Sequence, residues 1–183
     1  ALKALDNFKV KNVDPILLIL SSDHQIEDIN KFQLAIKKSI DVALQDNLVI
    51  FGIPPKYPAT GYGYIKSEKQ LVHNEYFPIK VDKFIEKPDK KTAEYFLKDK
   101  KYSWNSGMFV FKATAILNEI KDLAPEVLKN CEKCLDKSKV DLDFLRLEEK
   151  SFINCENSSI DIAVFEKTKN AFVIPRSEEH TSE

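Results

Sequence analysis

Four short stretches of this chain place reactive or conformationally special residues beside apolar runs. Asp23 and His24 follow the apolar run PILLIL, and Thr60, Gly61, Tyr62 and Gly63 lie in the loop after LVIFGI. Glu86, Lys87 and Pro88 follow VDKFI, and Asn105, Ser106 and Gly107 precede MFVF. A carboxylate such as Asp23 is the usual means of holding Mg²⁺, which keeps several waters and takes one or two carboxylates plus substrate phosphates. Asp is also a favoured helix cap, so Asp23 fits either role. His24 reads as a structural hydrogen-bonder.

Pro88 biases Lys87 toward an extended backbone and cannot continue a strand ladder, so Glu86 and Lys87 project at a strand terminus. There Glu86 can accept hydrogen bonds from hydroxyls while Lys87 neutralises a phosphate. The plainer alternative is a surface ion pair worth under about 1 kcal/mol. TGYG lets the main chain approach a ligand closely, or forms a tight turn into a strand. KYSWNSGMFVF, residues 101–111, holds the one Trp, the one Met and Gly107. It is either a buried strand that starts on a turn or a turn that touches a ligand. Ser158 and Asp161 have the spacing of a capping box with Asp in the fourth place, which accounts for both structurally. Cys131 and Cys134 have the spacing of half a zinc site, but sit one turn apart on an apolar helix face and read as core.

These groups need elements to position them. PILLIL and LVIFGI are short continuous apolar runs, the pattern of strands buried on both faces. Between them Ile29, Phe32, Ile36, Ile40 and Ala43 recur at helical spacing. Strand, helix, strand predicts a βαβ unit with a parallel pair, hence an α/β sheet whose ligands bind beyond the carboxyl ends of its strands. Further along, the patterning predicts a strand pair within 64–86, a helix over 92–100 and a strand over 107–113. Helices are expected over 113–122, 125–137, 141–149 and 159–168, and a strand over 171–175. Leu2, Leu5 and Phe8 share one face of a helix within 1–11. The polar stretch 176–183 lacks periodicity and is set outside the fold as an artefact-like tail.

The bulk composition is that of an ordinary globular domain, with 43% apolar and 31% charged residues among 183. A net charge of −1 argues against a broad nucleic-acid footprint. The apolar runs are too short for a membrane span. Three cysteines cannot all pair with one another, which points to a reducing compartment and a cytoplasmic location.

SSDH, FGIPPKYPATGYGYI, FIEKPD, YSWNSGMFVF and SSIDIAVFEKT, in this order, resemble the middle of bacterial mannose-1-phosphate guanylyltransferases, from about Val13 to Pro175. The resemblance implies a Rossmann-like α/β fold of the nucleotide-diphospho-sugar transferase type, a mixed, mostly parallel sheet with helices on both faces. It implies GTP and mannose 1-phosphate as substrates and Mg²⁺ as cofactor. By the same resemblance Asp23 is a catalytic Mg²⁺ ligand, in a motif where the family usually reads Pro-Ala-Asp-His and this chain has Ser21 and Ser22. Gly61, Tyr62, Glu86, Asn105, Gly107 and Asp161 contact the sugar, and Lys87 holds its phosphate catalytically. Trp104, Met108 and Phe109 are expected to pack.

The family's glycine-rich phosphate loop does not occur before Val13, so residues 1–175 are expected to form a partial domain lacking its N-terminal βαβ unit and inactive alone. Two other readings stand beside this one: a sugar-1-phosphate nucleotidyltransferase using UTP or dTTP, and a non-catalytic sugar-nucleotide-binding subunit of the same fold. A zinc or redox module on CEKC is a third. A homo-oligomer stays open.

Overall fold

In a computed structural model the protein is described over residues 1–8, 11–72, 75–176 and 179–181. In chain order the first half comprises α1 (Leu2–Phe8), β1 (Ile16–Ile19), β2 (His24–Ile26), α2 (Ile29–Ala43), β3 (Leu48–Ile53), β4 (Tyr64–Ser67), β5 (Ile79–Ile85) and α3 (Lys90–Phe96). The second half comprises β6 (Tyr102–Lys112), α4 (Ala113–Leu123), α5 (Pro125–Asp136), β7 (Lys139–Asp141), β8 (Phe144–Arg146), α6 (Glu149–Ile153), a π-helical turn (Asp161–Phe165), β9 (Ala171–Pro175) and β10 (Glu179–Thr181).

The sheet grows around LVIFGI, whose six residues are all buried in β3. Because side chains alternate across a strand, Leu48 and Ile50 enter one core with Phe109, Phe111, Ile116, Phe165 and Val173. Val49 and Phe51 enter another with Ala35, Ala43, Met108, Val110 and Ile174. Helices therefore cover both faces, α2 on one and α4 with the π-turn on the other.

The expected mostly parallel sheet is not what forms. Strand order is β1-β6-β3-β9-β5-β4, and among the described residues the one parallel pair is β3 with β9. The pairs β1–β6, β3–β6, β4–β5, β4–β6 and β5–β9 are antiparallel. β1 and β3 do point the same way, as a crossover requires, but β6 lies between them. Apolar runs show that a strand is buried; they do not show which strand lies beside it. Because β4 also pairs with β6, the strands β6, β3, β9, β5 and β4 close into a barrel-like ring instead of an open Rossmann-like sheet.

The expected 141–149 helix is instead the β7–β8 hairpin. Leu142 takes a left-handed backbone, φ 55°, at its turn, and Arg146 Nε meets Asp141 Oδ2 at 3.1 Å across it. Helix 159–168 contracts to the π-turn, and strand 107–113 extends back to Tyr102. The helices over 113–122 and 125–137 form as α4 and α5, the latter with Pro125 in its first turn, where a missing N–H costs nothing. Of the first expected helix, Lys9 and Val10 lie outside the described residues. Arg176 heads the stretch assigned to a tail, yet it is fully buried, its guanidinium over the rings of Phe32 (4.6 Å) and Phe51 (5.8 Å). Beyond it β10 pairs with β2.

Candidate active site

The site is assembled where the start of β4, the end of β5, a bulge in β6 and the π-turn converge. β6 pairs with β3 through Phe109↔Ile50 and then Asn105↔Gly52, so the residues between Asn105 and Phe109 bulge out of the ladder. Gly107 supplies the positive φ of 70° that this bulge needs. Asn105 fixes it: its Oδ1 accepts from the Gly107 N–H at 3.0 Å, and its Nδ2 donates to Asp161 Oδ1 at 3.0 Å. The Asn-Ser-Gly stretch is thus a turn built inside an 11-residue strand.

Gly63 sits directly under this bulge, its carbonyl accepting from the Asn105 N–H at 2.8 Å. A Cβ on Gly63 would stand 2.6 Å from Glu86 Oε2 and 2.9 Å from Phe84 Cζ, so glycine is what lets β5 approach. Gly61, two residues earlier, is exposed with nothing within 4 Å of a Cβ. Tyr62 packs edge-on against Trp104 at 5.2 Å, as does Tyr57 at 4.9 Å, and the Tyr57 hydroxyl donates to that of Tyr62 at 3.4 Å. Trp104 is therefore packing, buried beneath two tyrosines, together with buried Met108 and Phe109.

At the end of β5, Lys87 Nζ lies 3.5 Å from Glu86 Oε1; the Glu86 side chain is 16% exposed and that of Lys87 65%. Contrary to the extended backbone expected before a proline, Lys87 has φ 45°. The chain turns sharply there, with Pro88 buried, into the Asp89 cap of α3. The Glu86 N–H donates to Glu166 Oε1 at 3.0 Å. Burial pushes the Glu86 carboxyl above its ordinary range; the negative charge of Asp161 adds to this, and Lys87 opposes it. Burial likewise raises Asp161, with its hydrogen bond from Asn105 working the other way. Glu86 thus lies among the charges of Asp161, Lys87 and Glu166, a set in which carboxylate oxygens can accept hydrogen bonds from hydroxyls and the ammonium can pair with an anion.

Asp23 is exposed in the turn between β1 and β2. It does not cap α2: Asp28 does, accepting from the Lys31 N–H at 3.0 Å. The end of β1 meets the bulge through Ser21, whose Oγ is 3.1 Å from where a Gly107 Cβ would lie. Among the described residues no three His, Cys, Asp or Glu side chains gather into a metal-holding group. An exposed carboxylate at this place could contribute one ligand to Mg²⁺, which leaves its remaining positions to water and phosphate oxygens. Cys131, Cys134 and Cys155 are free thiols.

Glu86, Lys87, Asn105, Gly107 and Asp161 thus come together, Tyr62 and Gly61 lie on the loop beside them, and Asp23 lies two residues past Ser21. Glu166 is the member that the sequence does not reveal, because a carboxylate serving a backbone amide 80 positions away leaves no local pattern.

Residues 1–150 match the family described as nucleotidyl transferase. The chain belongs to this family. Nucleotidyl transferases generally use a divalent metal ion. Among curated relatives, the chain is 46% identical over 166 residues to mannose-1-phosphate guanylyltransferase RfbM of Salmonella typhimurium, covering 91% of this chain and 34% of the relative. It is 42% identical over 166 residues to a mannose-1-phosphate guanylyltransferase of Escherichia coli, covering 90% and 36%. It is 43% identical over 162 residues to the xanthan biosynthesis protein XanB of Xanthomonas campestris, covering 88% and 34%. The chain spans about a third of the length of these relatives. Among solved structures it is similar to one described as mannose-6-phosphate isomerase from Helicobacter pylori, with TM-score 0.82, 35% identity, and coverage of 94% of this chain and 66% of that one. A Thermus thermophilus structure, described as mannose-1-phosphate geranyltransferase, has TM-score 0.75 at 24% identity, covers 95% of this chain and 48% of that one, and supports the fold alone. No helix of the described residues is long and apolar enough to cross a membrane.

Proposed function

We propose that the chain is the sugar-phosphate-binding part of a mannose-1-phosphate guanylyltransferase, which transfers GMP from GTP to mannose 1-phosphate and releases pyrophosphate. The observation that carries this reading is the cluster of Asn105, Asp161 and Glu86 beside Lys87, one polar face for hydroxyls with a cation at its edge. Names of relatives at 42–46% identity support the mannose branch.

In this reading the Glu86 and Asp161 carboxylates and the Asn105 amide bind and orient the sugar hydroxyls. Gly107 and Gly61 leave room for the ring, and Tyr62 walls one side. Lys87 holds the sugar phosphate so that one of its oxygens faces the α-phosphorus of GTP for in-line attack. Asp23 would hold Mg²⁺, which would supply charge neutralisation for the nucleotide phosphates. Positioning and charge carry such a reaction, so no protein nucleophile is required. The free thiols fit a cytoplasmic enzyme.

Saturation-transfer NMR of this chain with Mg²⁺ and mannose 1-phosphate tests the reading, with glucose 1-phosphate as competitor. Transfer to the mannose ring that is lost in Asn105→Ala is the expected result. Equal or stronger binding of glucose 1-phosphate would favour a nucleotidyltransferase for another sugar, and no transfer from the folded chain would overturn the assignment of this cluster.

A further inference from the structure

The π-turn does something an α-helix could not do at the same place. In an α-helix each residue advances 100°, so a side chain five positions on points well away from the first. Here the turn closes instead through an i→i+5 bond, Glu166 N–H to Asp161 C=O at 2.9 Å, which widens it by one residue. Asp161 and Glu166 consequently both reach the site: Asp161 accepts from Asn105 Nδ2 at 3.0 Å, and Glu166 accepts from the Glu86 N–H at 3.0 Å. Between them Ala163, Val164 and Phe165 are buried, and Phe165 stacks on Phe109 at 4.7 Å and lies 6.2 Å from Phe84. Phe84 is two residues before Glu86, and Phe109 two residues after Gly107. The turn is thus anchored in the core against the two strands whose ends it ties.

We propose that Glu166 is a positioning residue of the sugar-phosphate site, holding the Glu86–Lys87 turn in place while Asp161, at the other end of the same π-turn, holds the Asn105 bulge. The role in ligand binding rests on the function proposed above. Lys87 is where the clamp is needed: its φ of 45° is sparsely populated for a side-chain-bearing residue, and such a backbone persists only where its surroundings fix it. The Glu86 amide one residue earlier is the group that Glu166 fixes. Glu166 itself is exposed, so its value is in this contact and not in core packing.

The test separates a hydrogen-bond acceptor from bulk. Glu166→Gln keeps an oxygen that can accept from the Glu86 N–H, and Glu166→Ala removes it. In the ¹⁵N-labelled chain, hydrogen exchange at the Glu86 amide should accelerate roughly tenfold or more in Glu166→Ala and be largely restored in Glu166→Gln. Mannose 1-phosphate affinity should fall by about the same factor in the alanine variant and return in the glutamine variant. Unchanged exchange in Glu166→Ala, or equal losses in both variants, would overturn the proposal. If the parent chain binds no mannose 1-phosphate, the functional reading fails by itself, and the Glu86 exchange comparison still decides whether Glu166 fixes that turn.

Discussion

Replacing Gly63 with alanine puts a methyl group where two side chains already stand, and the outcome can be set against Gly61→Ala two residues away. At Gly63 the new Cβ would lie 2.6 Å from Glu86 Oε2, 2.9 Å from Phe84 Cζ and 3.3 Å from Phe84 Cε1. The carboxylate can swing aside, but Phe84 is 3% exposed within the core and cannot. Overpacking of this kind costs about 1–3 kcal/mol. For a chain of this size each kcal/mol moves Tm by roughly 2–4 °C. The displaced carboxylate is also the proposed acceptor for a sugar hydroxyl. A hydrogen bond to a charged group is worth about 1.5–3 kcal/mol, so mannose 1-phosphate should bind roughly 10- to 150-fold more weakly. At Gly61 nothing lies within 4 Å, and alanine there should be neutral or stabilise by about 0.4–1 kcal/mol through the unfolded chain. Thermal melts followed by circular dichroism and calorimetric titration with mannose 1-phosphate measure both effects. A Gly63→Ala chain that melts and binds like the parent, or a Gly61→Ala chain whose Tm falls as far, would refute the argument from close approach.

Asp161→Asn should raise Tm at neutral pH while weakening mannose 1-phosphate binding. Burial holds the Asp161 carboxyl above its ordinary range, so ionising it costs the fold. That cost is absent below the unfolded-state pKa and complete above the folded one, so the variant's Tm advantage should shrink as the solution is acidified through that window. An advantage independent of pH would contradict this assignment. Arg176→Ala should destabilise by roughly 2–4 kcal/mol, since it removes a fully buried side chain stacked over Phe32 and Phe51. A melting curve indistinguishable from the parent's would return Arg176 to the tail.

Much of this was legible in residue pattern. LVIFGI announces β3 because a strand covered on both faces must be apolar throughout, and the 3–4 spacing of Ile29 to Ala43 announces α2 because one stripe must face the sheet. The strands' neighbours were not legible: β6 inserts between β1 and β3 through pairings made across distant parts of the chain. The 141–149 helix was not legible as a hairpin, because the left-handed backbone of Leu142 at its turn is not announced by a glycine or asparagine. At the site, Glu86, Lys87 and Asn105 stood out as polar groups at strand ends. Glu166 did not, since its partner is a backbone N–H, which every residue but proline possesses. Asp23 suited a cap by type, but Asp28, directly before Ile29, is the residue that caps α2.

The single parallel pairing also sets a schedule for synthesis. β3 joins β9 from Leu48↔Ala171 to Gly52↔Pro175, so its neighbour on that side emerges from the ribosome 123 residues later. At about 5–20 residues per second the delay is roughly 6–25 s. Through that interval the apolar hexapeptide LVIFGI, without a charge or a proline, lacks the strand that completes its burial. Such an apolar segment, exposed while translation continues, is one that a chaperone can bind.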